Sequence, residues 1–304
     1  MANRTDNFLA EVKDTLENGI LKFLLSQDIT SSTSVIEHTK FLWSCSAAYG
    51  YNKDKNLLLA AGKEKEYFIE NFVDHKFGGV FWSVNNKGER LDTSARLKAQ
   101  GSAIYAFSEL YLATKDEEAL NNAITLYKVV EKEFHKLEGG YAETLTRDFV
   151  PMEEPKTTKS DLILLEGYTN LYKAWPDEGL RETITNQLRK IQIDGMDDRT
   201  LAETCWYLFL SAETLKDFDL INSIKPISRQ MGEKKLSHLT DKDPRTKTEI
   251  VNANIWLWKY HDVDSAIDNA IEIWNNSLKG NKGFIKESAM HNVRMCINIL
   301  NIFK

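Results

Sequence analysis

Met290-His291-Asn292-Val293-Arg294-Met295-Cys296 opens the last apolar run of the chain, and Ile297, Leu300 and Phe303 continue it at helical spacing. His291 and Arg294 are three residues apart, so a helix presents both on one face. An imidazole can carry a proton near neutral pH. A guanidinium beside it can steady negative charge that develops on a neighbouring atom. The plainer alternative is a histidine that only helps to start a helix.

The same period runs outward through the whole sequence. Helices are expected near residues 6–26, 55–72, 93–113, 117–134, 160–174 and 177–192, and another is capped within Ser31–Thr33 and ends near Tyr49. Five more are expected near 200–214, 218–231, 248–260, 265–278 and 290–303, about twelve in all. In the first, Phe8, Val12, Leu16, Ile20 and Phe23 form the apolar face. Lys76 to Gly88 alternates and is rich in turn residues, which predicts a small β-hairpin between helices. A Gly-aromatic turn recurs at Gly78-Gly79, Gly139-Gly140 and Gly283-Phe284. Such recurrence implies a closed or stacked array of helix pairs, and periodicity alone does not choose between them. Gly232 to Lys247 reads as a basic loop. No linker interrupts residues 1–304, so one domain is expected.

Composition narrows the function classes. The chain has 304 residues, is 42% hydrophobic and carries a formal net charge of −6, which gives no reason to expect nucleic acid as a partner. No run approaches the ~18 apolar residues of a membrane span, and the N-terminus lacks the pattern of a signal peptide. Cys45, Cys205 and Cys296 lie far apart in apolar helical patterns and read as buried free thiols of a cytoplasmic protein. No metal is expected, because His38, His75, His135, His238 and His261 show no ligand spacing. No cofactor is expected either, as phosphate loops and dinucleotide fingerprints are absent from the sequence.

Four segments resemble one enzyme family, in order along the chain. They are Phe41-Leu42-Trp43-Ser44-Cys45-Ser46-Ala47-Ala48-Tyr49, Leu91-Asp92-Thr93 continuing through Ala99-Gln100 to Ala113-Thr114, Leu165-Glu166-Gly167-Tyr168-Thr169-Asn170-Leu171-Tyr172, and Met290 to Cys296. Together they are similar to the N-acylglucosamine 2-epimerase and cellobiose 2-epimerase family. The resemblance implies an all-α fold, the (α/α)6 barrel. It also implies an isomerase or epimerase that removes a proton next to the carbonyl of an open-chain sugar and returns it.

By the same resemblance, His291 matches one family catalytic histidine and Arg294 the motif arginine, while Glu203 and Trp206 persist from a third motif. Two other histidine positions are changed: Ile163 stands at one and Thr200 at the other. Lys40, Lys98, Lys159, Arg245 and Lys247 replace neutral or differently shaped residues, with Asp161 beside Lys159. The expected catalytic set is therefore His291, Arg294, Lys40 and Glu203, with Lys40 also a second base if burial lowers its pKa. Lys98, Tyr105, Trp43, Asp161 and Trp206 are expected to bind substrate. The added cations predict a basic mouth and a small, carbohydrate-like, anionic substrate. Glu166 and Glu249 are assigned structural hydrogen bonds. The chain is expected as a monomer or homodimer. Two other readings stay open: a hydrolase or lyase using Asp161 and Glu203, and a barrel that binds ligand without catalysis.

Overall fold

The computed structural model describes residues 2–136, 139–155, 157–190, 196–234, 243–287 and 289–304. It divides into two compact units, Gln27–Arg189 and the paired segments Met1–Ser26 and Lys190–Lys304.

The chain begins with α1 (Ala2–Asp14), a π-helical stretch over Thr15–Ile20, and α2 (Leu21–Leu25). These run on as the single expected helix, with one change. Phe8, Val12, Leu16, Ile20 and Leu24 are buried, whereas Phe23 is half-buried. The wider π turn admits an extra residue, so the apolar face keeps a strict four-residue step and lands on Leu24.

In Gln27–Arg189 the long helices are α3 (Val35–Asn52), α4 (Lys55–Asn71), α5 (Leu97–Thr114), α6 (Glu117–Val129), α7 (Thr158–Ala174) and α8 (Glu178–Lys190). Helices α3, α5 and α7 pack side by side and are buried over most of their circumference, while α4 packs on α3 and α6 on α5. A Cβ on Gly167 of α7 would lie 2.5 Å from the carbonyl oxygen of Gly101 on α5. Only glycine permits that backbone approach. The turns from α3 to α4 and from α5 to α6 repeat one device. Lys53 and Lys115 take a left-handed conformation at the helix ends, and Asp54 and Asp116 then cap the next helix.

The expected hairpin is present in part: β1 (Ser83–Val84) pairs antiparallel with β2 (Arg90–Asp92). A second small sheet joins β3 (Ala95–Arg96) to β4 (Thr144–Leu145). Gly78 and Gly79 both have positive φ, and buried Gln100 fixes their turn by accepting from Val80 N (2.9 Å) and donating to Val80 O (3.0 Å).

The other unit contains α9 (Asp198–Leu215), α10 (Phe218–Lys234), α11 (Pro244–His261), α12 (Asp264–Ile273), α13 (Lys282–Glu287) and α14 (Ala289–Ile302). Helix α11 packs between α9 and α14, with α10 on α9 and α12 on α11. Two expectations are corrected. The helix placed at 248–260 starts earlier, because Asp243 accepts from Arg245 N (2.9 Å) and Pro244 sits at the first helical position, where its missing N–H costs nothing. Gly283 lies inside α13 rather than in a turn; Gly280, with φ of 72°, turns the chain instead. Much of the basic loop read before α11, with His238, lies outside the described residues.

Candidate active site

The site assembles on three neighbouring helices of the second unit. Asp197 caps α9 by accepting from Thr200 N (2.8 Å), which puts Glu203 and Trp206 on the next two turns. Pro244 and Asp243 start α11, which puts Glu249 two turns in. The start of α14 is held by Asn292, which accepts from Thr248 Oγ1 (3.2 Å) and donates to the carbonyl of Phe284 in α13. His291 and Arg294 follow from that anchor.

Glu249 is the centre of the cluster. Its Oε1 accepts from His291 Nδ1 (2.6 Å) and from Arg294 Nη2 (2.8 Å), and its Oε2 accepts from Trp206 Nε1 (3.1 Å). Arg294 Nη2 also donates to Glu203 Oε1, and the guanidinium lies 5.0 Å from the centroid of the Trp206 ring. The Glu249 side chain is 1% exposed, Arg294 3%, Glu203 7% and His291 13%. Burial alone would raise the Glu249 carboxyl, but the Arg294 guanidinium and the His291 hydrogen bond outweigh it and hold the pKa down at about 2. Glu249 is thus a fixed anion. It holds the His291 ring through Nδ1.

Glu203, Glu249 and His291 each present a ligand atom within 4.8 Å of the others. The guanidinium of Arg294 already bridges both carboxylates with its own positive charge. A dication placed there would meet that charge directly, so the chemistry of the set favours proton transfer over metal binding.

The site residues expected from sequence fall into two groups. His291, Arg294, Glu203 and Trp206 come together as described. Arg294, expected to steady charge at the reacting atoms, donates from Nη2 to two carboxylates. Glu249, assigned structural hydrogen bonds, accepts from His291, Arg294 and Trp206, and its sequence signal was an acid set among Ile250, Val251 and Ala253 on a buried helix. The other group belongs to Gln27–Arg189. There Trp43 and Tyr105 are buried and stack, with centroids 5.3 Å apart and planes at 14°. Lys98 and Asp161 are half-buried on the first turns of α5 and α7.

Lys40 departs from expectation. Its Nζ pairs with Glu37 (3.0 Å) and its side chain is 34% exposed, so the burial that would make it a base is missing. The basic mouth is also weakened elsewhere. Arg245 pairs with Asp243 (3.0 Å), and Lys247 donates to Ser277 Oγ (2.8 Å). His38 is a fully buried residue of α3 whose Nδ1 meets Glu64 Oε1 at 2.7 Å.

Solved structures match this architecture over nearly all of the chain. A sugar epimerase from a ruminal bacterium superposes with a TM-score of 0.86, covering 97% of this chain and 98% of its own at 21% identity. The cellobiose 2-epimerase of Spirochaeta thermophila gives 0.83, covering 98% and 97% at 19% identity. A D-mannose isomerase gives 0.76, covering 88% and 87% at 14% identity. The fold is therefore all-α, an (α/α)6 barrel. In sequence, the cellobiose 2-epimerase of Bacteroides fragilis is 33% identical over 230 residues, 65% of this chain and 59% of that protein. That of Ruminococcus albus is 32% identical over 184 residues, covering 57% and 47%. In sequence the chain is similar to cellobiose 2-epimerases over part of its length, and in fold to sugar epimerases over nearly all of it. The matched stretches span about half of the length of these relatives. No family model matches the sequence.

Proposed function

We propose that the protein is an isomerase or epimerase that acts on a carbohydrate by moving a proton next to its carbonyl. The observation that carries this reading is the His291–Glu249 pair. A buried carboxylate holds Nδ1, and the partly exposed ring keeps Nε2 available as a base. Relatives named cellobiose 2-epimerase and a structural neighbour named D-mannose isomerase support a reducing sugar as substrate.

The finer expectation of an anionic substrate rested on added cations. Lys40 and Arg245 are paired with acids, and Nη2 of Arg294 pairs with Glu203 and Glu249. A neutral sugar is therefore the first substrate to try. The hydrolase alternative also loses support, since Glu203 is bound by a buried guanidinium and is not a free acid. No described helix is long and apolar enough to cross a membrane. Three buried free thiols support action in a reducing compartment, the cytoplasm.

The test is deuterium wash-in. Incubation in D2O with mannose, glucose, cellobiose and their phosphorylated or acidic counterparts, followed by proton NMR, should show label entering C1 or C2 of at least one sugar. His291→Ala should abolish it while keeping the melting temperature within a few degrees. Exchange that survives in His291→Ala would overturn the assignment.

A further inference from the structure

We infer that the outer face of α4 is an interface on which a second copy of this chain lays its own α4 antiparallel. This goes beyond the proposed activity and does not depend on it.

Helix α4 packs on α3 through Leu57, Ala61, Glu64 and Phe68. Its apolar surface does not stop there. Leu57 is fully buried, but Leu58 is 36% exposed and Leu59 60%. The outer stripe runs Lys55, Leu59, Gly62 and Glu66, at steps of four, three and four. That alternation keeps one line of side chains facing a neighbouring helix.

Beside the stripe lies a groove of about 460 Å³ between α4, the ends of α3 and α5, and the start of α6. Tyr49, Leu58, Leu110 and Ala113 give it apolar walls. Its polar side is fixed by Lys65, whose Nζ donates to Asp116 Oδ2 (2.9 Å) and Glu118 Oε2 (2.7 Å). Gly62 keeps it open, since a Cβ there would meet nothing within 4 Å. A lone exposed leucine is ordinary. An exposed leucine one turn from an unfilled apolar groove is a knob beside a hole, and a two-fold axis fits each knob to the other copy's hole.

Charge selects the direction. An axis crossing α4 between Leu59 and Gly62 sets Leu59 over Gly62 of the second copy. One turn further out on each side, it sets Lys55 over Glu66 of the second copy. Both are exposed, and neither makes an ion pair among the described residues. Parallel pairing would set Lys55 against Lys55 and Glu66 against Glu66, and like charges face to face are unfavourable. A stable interface needs about 1,000 Å² of buried surface, and one helix seam with its flanking groove is at that lower end, so the dimer should dissociate on dilution. Tyr49 and Ala113 belong to the last turns of α3 and α5, and Lys98 on the first turn of α5 is about 22 Å away along that helix. Pairing here leaves the Lys98 end of α5 uncovered.

The experiment is analytical ultracentrifugation of the full chain across a dilution series, with melting temperature and D2O wash-in as controls. The wild type should approach twice the mass of one chain at high concentration. Leu59→Glu should raise the dissociation constant at least tenfold. Gly62→Phe, which fills the groove from within, should do the same. Neither should lower the melting temperature of the monomer or change wash-in. Lys55→Glu and Glu66→Lys should each weaken the dimer, and the double variant should recover it, because opposite charges face each other again. A wild type that stays monomeric at every concentration would overturn the inference and leave the groove to a different occupant. A dimer indifferent to Leu59→Glu would also overturn it, as would a double charge swap that fails to restore pairing.

Discussion

Replacing Glu249 with glutamine should disable the site and lower stability in a pH-dependent way. The substitution keeps the shape but removes the charge and one acceptor. Glu249 serves three donors, on His291, Arg294 and Trp206. An amide must turn its NH2 toward at least one of them. Facing Trp206, it sets two donors against each other; facing His291, it donates to Nδ1 and forces the proton onto Nε2, where the base should be. Loss of a general base costs ~10²–10⁴-fold, so exchange should fall by about that factor. The stability term follows from linkage. The carboxyl sits at about 2 in the folded protein against an ordinary value of 4.5. At about 1.4 kcal/mol per pH unit, that difference is worth about 3 kcal/mol. Because the folded pKa is depressed, this stability is fully present above about pH 4.5 and is lost as pH falls toward about 2. Glu249→Gln should therefore melt ~6–12 °C below the wild type at pH 7, taking 2–4 °C per kcal/mol as for a chain of somewhat smaller size. The gap should narrow steadily below pH 4.5. Calorimetry at pH 7 and pH 3 reads the stability, and D2O wash-in reads the activity. A variant as stable as the wild type at pH 7, or a gap that does not close in acid, would refute the network as described.

Trp206→Phe removes the indole N–H from Glu249 Oε2 (3.1 Å) and keeps most of the aromatic face under Arg294; about 1 kcal/mol of stability and a several-fold loss of exchange are expected, read by melting and NMR. Glu64 should behave in the opposite sense. Burial raises its carboxyl above the ordinary value despite the His38 hydrogen bond, so the charge becomes a liability as pH rises. With Nε2–H of His38 directed at Ser32 O, a glutamine NH2 can donate to Nδ1, and Glu64→Gln should melt no lower than wild type at pH 8. Glu64→Ala should cost ~2–4 kcal/mol, because it strands a buried ring nitrogen and leaves a cavity. Gly167→Ala should cost at least ~2 kcal/mol, since its Cβ would meet Gly101 O at 2.5 Å; denaturant unfolding measures this.

The fold was legible because its signals are local. Apolar spacing located every long helix, and the paired glycines 78–79 and 139–140 do adopt the positive φ that a tight turn demands. One local signal passed unread: Lys-Asp recurs at 53–54, 115–116 and 216–217, and each time the lysine closes one helix in a left-handed conformation. Asp54 and Asp116 then cap the next helix, and Asp217 likewise accepts from Leu220 N at 3.0 Å. The site was legible only in part, because its meaning lies in pairings that no spacing encodes. His291 and Arg294 share a face by the helical period, yet nothing in the sequence ties either to Glu249, more than 40 residues earlier. The same limit applies to the cations. Some of the lysines and arginines counted as a field for an anion have acids beside them: Lys40 has Glu37, Arg245 has Asp243, and Arg294 has two glutamates. A pair of opposite charges within one turn projects little field beyond a Debye length. Substrate charge therefore has to be judged from each cation with its partner, which is why the wash-in assay must set neutral and anionic sugars side by side.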